Sequence, residues 1–325
     1  MKNLKLFLQN KKTLVRNILL IVFGVILLGF IGVELFLRFH YGLCDAVLMC
    51  ADDDYEYIAQ PNQDRTRFGN RIKYNRFSMR SEELRDGSLR ILCIGDSILN
   101  GGTLTDHEYL ATSLLSRKLS ETLQKDVQVL NVSAGSWGPD NCAAYLKKHG
   151  HFGASAIFLI TSSHDVRDTM TFVPVVGKLK NFPVKQYPLA VIELLDRYLN
   201  VEMSFFHKTK DEVDSDFRKQ HNIEQTSDKF NPGYAALLKY AKENKIPLYL
   251  YLHANQDELK GKKLEPLGDE IISFAKENKI LLYNDLTSGL DVSWFRDPIH
   301  YGVKGQKKMA EILYPEMEAV LKGKE

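Results

Sequence analysis

Ser97 follows a glycine and an aspartate at the end of an apolar run, and Asp297 and His300 stand three residues apart near the other end of the chain. A hydroxyl, an imidazole and a carboxylate together make a nucleophile, a general base and the acid that orients the base. Ile91, Leu92, Cys93 and Ile94 read as a strand covered on both faces, as in a parallel sheet, and Gly95 lets the backbone turn sharply before Ser97. Ligands of open α/β sheets bind beyond the carboxyl ends of the strands, so a serine there is placed for chemistry. Pro298 favours a turn in which Asp297 reaches one ring nitrogen of His300 and leaves the other free to take the proton of Ser97. Singly, a Gly-Asp-Ser turn or an Asp-Pro-x-His turn is a common loop; their pairing points to acyl chemistry.

Two further loops belong to the same end of the expected sheet. A strand at Val127–Leu130 leads into Asn131-Val-Ser-Ala-Gly135-Ser-Trp-Gly-Pro-Asp140, whose small residues permit close backbone approach. Gly135 could there offer its N–H to an oxyanion beside the N–H of Ser97. Asn131-Val-Ser133 is also a glycosylation sequon, discounted because it lies at a strand end. A third strand, Ala156–Ile160, ends at Thr161-Ser-Ser-His164-Asp165. His164 is either a structural strand-end histidine or an oxyanion donor, since an imidazole N–H can replace an amide N–H, with a charge that varies with pH. Asp165 reads as a brace for this loop.

Gly95-Asp96-Ser97, Gly135, the loop ending His164-Asp165 and Asp297-x-x-His300 resemble the motif blocks of the SGNH/GDSL hydrolase family of serine esterases and acetyltransferases. The resemblance covers roughly residues 90–321 and implies a doubly wound, flavodoxin-like α/β fold with a five-stranded parallel sheet. It implies Ser97 as nucleophile, His300 as base, Asp297 as its orienting acid, and an oxyanion hole of Ser97, Gly135 and His164. One block departs: Ser162-Ser163-His164-Asp165 stands where the family has Gly-x-Asn-Asp, so His164 falls at the asparagine's place. The implied activity is ester hydrolysis without metal or organic cofactor, on an acylated carbohydrate of the cell envelope or an exported polysaccharide, or on another small ester. Transfer of an acetyl group to a sugar hydroxyl, or a noncatalytic glycan-binding or assembly role on the same fold, are the alternatives. The order Glu34-x-x-Leu-Arg38, Tyr57, Pro61-Asn-Gln63, Gly69-Asn70 and Met79-Arg80 is also similar to the N-terminal region of membrane-anchored bacterial members.

The elements that must carry these residues follow from pattern. With 325 residues, 44% of them hydrophobic, the chain suits one large α/β domain with additions. Residues 1–16 form a basic arm with Lys2, Lys5, Lys11, Lys12 and Arg16 and no acid, and residues 17–38 a single transmembrane anchor built on the uncharged run Ile18–Val33. No small-x-small site follows the run, which favours an uncleaved anchor over a signal peptide. The basic arm should stay inside, leaving the rest outside the cytoplasmic membrane, in the periplasm of a Gram-negative source. The arm more than accounts for the net charge of +2, so the remainder is slightly acidic and nucleic acid is not an expected partner. Cys44 and Cys50 could form a disulfide in an oxidising compartment or remain two thiols, Cys93 reads as core, and no spacing suggests zinc.

Residues 39–89 turn polar and arginine-rich and read as an extended neck, a solvated strap or a groove for an anionic glycan. Residues 90–325 make the hydrolase-like domain. A leucine stripe predicts a helix over His107–Leu123 with Asp106 as N-cap, another helix runs over Asn141–His149, and an insertion at about 169–228 holds one helix, Leu189–Leu199, and a charged run, Lys208–Lys219. That insertion is either a lid or a surface loop. Two helices ending in the same hexapeptide, Ala241–Ile246 and Ala275–Ile280, feed strands Leu248–Leu252 and Leu281–Tyr283, with Asn244 and Asn278 expected to take the left-handed exit. A last helix follows His300.

Overall fold

The computed structural model of the protein describes residues 2–199 and 227–323. Helix α1 (Lys2–Tyr41) is continuous, so the basic arm joins the apolar run without a break. Its stretch Asn10–Tyr41 is long and apolar enough to cross a membrane and is almost uncovered by the rest of the chain. The helix stops at Gly42, whose φ of 67° is left-handed and whose missing Cβ would lie 1.9 Å from the Thr66 carbonyl oxygen. No other residue fits that contact.

The next stretch is folded, which corrects the expectation of an extended strap. Strands β1 (Met49–Asp52) and β2 (Glu56–Ala59) form one antiparallel hairpin, and β3 (Gln63–Arg67) and β4 (Asn70–Tyr74) a second. Tyr55, Tyr57, Ile58 and Met79 enter the main core. Arg67 and Arg80 are buried as well, because acceptors inside the fold take their charge: Glu193 and the Gly42 carbonyl for Arg67, the Gly102 and Thr105 carbonyls for Arg80. Composition alone does not separate such arginines from a solvated face.

Five parallel strands follow, β5 (Leu89–Gly95), β6 (Val127–Ser133), β7 (Ile157–Ser162), β8 (Leu248–His253) and β9 (Leu282–Asn284), in the order β6-β5-β7-β8-β9. Counted within the sheet this is 2-1-3-4-5, the expected doubly wound order. Alternation sorts β5 between two cores: Leu92 and Ile94 join the cluster under α4 (Pro139–His149) and two later helices, Ile91 and Cys93 the cluster on the opposite face. That opposite face is closed by α3 (Ala111–Leu123) and the C-terminal helix. The leucine stripe expected as one helix from His107 is divided. Asp106 caps a short 3-10 turn, His107–Tyr109, then Leu110 is extended, and α3 begins at Ala111, whose N–H is taken by Gln306 Oε1 at 2.9 Å.

Of the insertion, residues 169–199 and 227–228 are described, the first stretch holding α5 (Ala190–Arg197); the charged run Lys208–Lys219 lies outside the described residues. Beyond it come α6 (Gly233–Glu243), α7 (Gln256–Gly261), α8 (Pro266–Glu277) and α9 (Val303–Lys322). Helices α6 and α8 share an exit, but the left-handed residues are Lys245 and Lys279, both at φ 56°, and not the asparagines before them. Asn244 and Asn278 instead send Nδ2 back to the carbonyls of Tyr240 and Phe274, each at 2.9 Å. All four cysteines are free thiols, Cys93 buried in β5.

Candidate active site

Ser97 sits where β5 ends and the one-turn helix α2 (Ser97–Asn100) begins, with β6 and β7 on either side of β5. This is the point at which the strand order reverses, where the sheet leaves a crevice. Gly95 is required: a Cβ there would stand 2.7 Å from the Ile160 carbonyl of the paired strand β7. Asp96 caps the turn by accepting the Ile98 N–H at 2.9 Å. Both features aim Ser97 outward.

A loop before α9 brings the other two residues over it. Phe295 and Tyr301 bridge, and Arg296 N–H donates to the His300 carbonyl at 3.0 Å, so the segment between them is pinched into a turn. His300 Nε2 then lies 2.8 Å from Ser97 Oγ and Nδ1 lies 2.9 Å from Asp297 Oδ2. Asp297 Oδ1 accepts the N–H groups of His300 at 2.7 Å and Ile299 at 3.1 Å. Burial would raise the Asp297 carboxyl, but those N–H groups and the imidazole hold it below the usual range. Burial pulls the His300 ring below its ordinary value, against the pull of Asp297. The imidazole is therefore neutral near pH 7 and able to accept a proton.

Ser97 and His300 face a cleft of ≈ 630 Å³ whose walls include Gly135, Arg67, Tyr198 and Arg296. Nothing lies within 4 Å of the Cβ position at Gly135, so this peptide borders open space. The Tyr57 hydroxyl donates to the Gly135 carbonyl at 2.9 Å and fixes the plane of the loop.

His164 is placed differently. It stands on a 3-10 turn after β7, partly exposed, and is not among the walls of the cleft. Its Nδ1 lies 3.0 Å from Ser162 Oγ, and its Nε2 3.2 Å from Asp165 Oδ1 and 3.8 Å from Asp96 Oδ2. Asp165 is the expected brace: Oδ2 accepts the Ser162 N–H at 2.7 Å and the Thr161 hydroxyl at 2.9 Å. Burial together with the charge of Asp165 pushes the Asp96 carboxyl up to about 7. Burial lowers the His164 ring, and Asp165, Asp96 and Asp168 more than reverse this, so it holds its proton above the ordinary value. Asp96, His164 and Asp165 also bring ligand atoms within 4.8 Å of one another. His164 Nδ1 thus contacts Ser162 Oγ, and Nε2 stands at ion-pair distance from Asp165 and Asp96 without a hydrogen bond to either, an arrangement in which the ring braces the loop.

Several contributors carry no sequence motif. Arg80 stacks on Tyr74 and holds the carbonyls of Gly102 and Thr105, fixing the chain after α2. Arg296 Nη1 reaches the Gly101 carbonyl at 2.8 Å and ties the His300 loop to that same segment. His253, at the end of β8, donates under the loop to the Ile299 carbonyl. A polar residue at the carboxyl end of a parallel strand was the one available signal for it. Asn131 is fully buried, with Nδ2 on the Leu99 carbonyl, so the sequon is structural.

No family model matches the chain. No curated protein matches it either. Among solved structures it is similar to an acetyl xylan esterase from Geobacillus stearothermophilus, at 14% identity and a TM-score of 0.39, over 71% of this chain and 95% of that one. A lipase/acylhydrolase from Enterococcus faecalis is similar at 14% identity and 0.40, over 71% and 96% of the two chains. A carbohydrate acetylesterase family member from Sinorhizobium meliloti is similar at 12% identity and 0.35, over 72% of this chain and 99% of that one.

Proposed function

We propose that the chain is a membrane-anchored serine esterase of the SGNH/GDSL type that removes acyl groups, such as acetyl, from a cell-envelope or exported polysaccharide. The observation that carries this reading is the line of hydrogen bonds from Asp297 through His300 to Ser97. In it, Ser97 Oγ attacks the ester carbonyl as His300 Nε2 takes its proton, and the N–H groups of Ser97 and Gly135 receive the negative charge that develops on the carbonyl oxygen. His300 passes the proton to the departing alcohol. Water, deprotonated by the same imidazole, then cleaves the acyl-serine, releasing the acid and regenerating the hydroxyl.

An uncleaved anchor has its own support. Glu34 of α1 accepts the N–H groups of Ala190 at 2.8 Å and Val191 at 3.0 Å, at the start of α5, and Leu37 is buried against Ala190 and Leu43. Removing α1 would strip both from the folded domain. The basic arm then lies on the cytoplasmic side and the domain on the outer side.

A water-soluble fluorophosphonate should label the full chain and not Ser97→Ala. A wild-type chain that is folded, unlabelled and inert toward acyl esters would sink the reading. Product analysis with an acetyl donor, with and without glycan, separates release to water from transfer to a sugar hydroxyl.

A further inference from the structure

The cleft around Ser97 and the seam that holds the anchor share a wall. Arg67 donates from Nη1 to the carbonyl of Gly42, the residue at which α1 ends, and forms an ion pair with Glu193 at 2.9 Å, with both side chains buried. Its Nη2 donates to the Tyr198 hydroxyl at 2.7 Å. Glu193 also accepts the Cys44 N–H, and the Phe68 N–H closes onto the Tyr41 carbonyl at 3.0 Å. Arg67, Phe68 and Tyr198, which make this seam, line the same cleft as Ser97 and His300, together with Ala46, five residues beyond α1.

The height of that seam follows from the anchor. Arg16 and Glu34 bound the uncharged part of α1, so Glu34 marks the outer edge of the hydrocarbon. Glu34 is itself inside the domain, hydrogen-bonded to α5 and paired with Arg38 at 2.6 Å, while Arg38 reaches the Pro188 carbonyl at 2.7 Å. Tyr41 stands about 10 Å further along the helix, and the headgroup layer is roughly 5–8 Å deep on each side. The surface at this level suits that layer: Phe39, Tyr41, Tyr198 and Leu199 are exposed aromatic or apolar side chains, and Lys178 and Lys185 are exposed cations beside Pro188.

The geometry points to a substrate whose acyl ester is carried by a molecule embedded in the same bilayer, presented at headgroup height to the wall formed by Arg67, Phe68 and Tyr198. This rests on the serine-esterase reading and names the form in which that site receives its ester. A soluble polymer would have to reach the serine along the membrane surface, whereas a bilayer-borne ester is already held at the level of the wall.

The test uses the full chain in vesicles of phosphatidylcholine and phosphatidylglycerol and three fluorophosphonate probes: a water-soluble one, one attached directly at the glycerol of a phospholipid, and one on a long poly(ethylene glycol) spacer from the same lipid. The direct lipid probe should label Ser97 at least as fast as the spaced one. It should also label about ten-fold or more faster when protein and probe share a vesicle than when they occupy separate ones, as expected for a confined reaction partner. Labelling by the spaced lipid probe without the direct one places the cleft away from the bilayer and overturns the inference. So does labelling by the water-soluble probe alone, which leaves the esterase reading standing. Failure of all three removes the reactive serine and both proposals with it.

Discussion

His253 Nε2 lies 2.7 Å from the Ile299 carbonyl oxygen, one residue before His300, while its Nδ1 lies 2.9 Å from Asp285. A carbonyl only accepts. Asp285 also accepts from the hydroxyls of Tyr251 and Tyr301, so this one buried side chain gathers the ring and both phenols. A fully buried imidazole thus supports the turn that holds His300 over Ser97. His253→Leu removes the ring's hydrogen bonds to Asp285 and to the Ile299 carbonyl and should lower stability by about 1–3 kcal/mol in denaturant titration. In refolded protein, ester turnover should drop with it. A refolded His253→Leu variant with wild-type stability and turnover would refute this supporting role.

Ser97→Ala should lower acyl-ester turnover by about 10³-fold or more while thermal unfolding stays close to wild type. Undiminished turnover by the purified variant would remove this serine from the chemistry.

The pH profile should follow His300. Because burial lowers its ring from the ordinary 6.5, the base form persists below that pH, and the acid limb of kcat/KM should have its midpoint below 6.5. Asp297→Asn removes the contribution that raises the ring, so the limb should move further toward acid while kcat falls by roughly 10³–10⁴. A limb that moves toward neutral pH would contradict the assignment.

Asp96 makes a stability prediction of opposite sense to most carboxylates. Its folded value is raised from 3.8 to about 7, so its stabilising contribution is complete below the unfolded value and is lost as pH rises through about 7. Thermal stability should therefore decline as pH rises from 3.8 to about 7 and level off above that, and Asp96→Asn should flatten that decline. Asp168, also raised to about 7, adds in the same direction. An Asp96→Asn profile parallel to wild type would show that the titration belongs elsewhere.

For His164, the structure favours a brace held by Asp165 and Asp96. His164→Ala and His164→Asn should then both lower stability, with little selective change in the acylation rate of folded protein. A loss of roughly 10²–10³ in acylation for alanine, recovered by asparagine, would instead identify an oxyanion donor.

The sheet was legible because its strands are short apolar runs at regular spacing, and β5 through β8 fall where Ile91, Val127, Ile157 and Leu248 put them. The pairing of Ser97 with His300 was legible because each ends in a turn rich in local signals, Gly95 in one case and Pro298 in the other. The hairpins before β5 were hidden by arginines that look solvated and are buried, as Arg67 and Arg80 are. The helix start at Ala111 depends on Gln306, 195 residues away, and no local pattern encodes it. His253 was missed for a similar reason: its partners, Asp285 and Ile299, meet it only through the fold.

The close fit at Gly42 leaves no slack between stem and head. With α1 seated in a bilayer, such a molecule searches in two dimensions and keeps its serine at one altitude, since it cannot lean away from the lipid. Its bearing is set by helical phase. One residue inserted into α1 ahead of Glu34 would lift the head about 1.5 Å and turn it by about 100°.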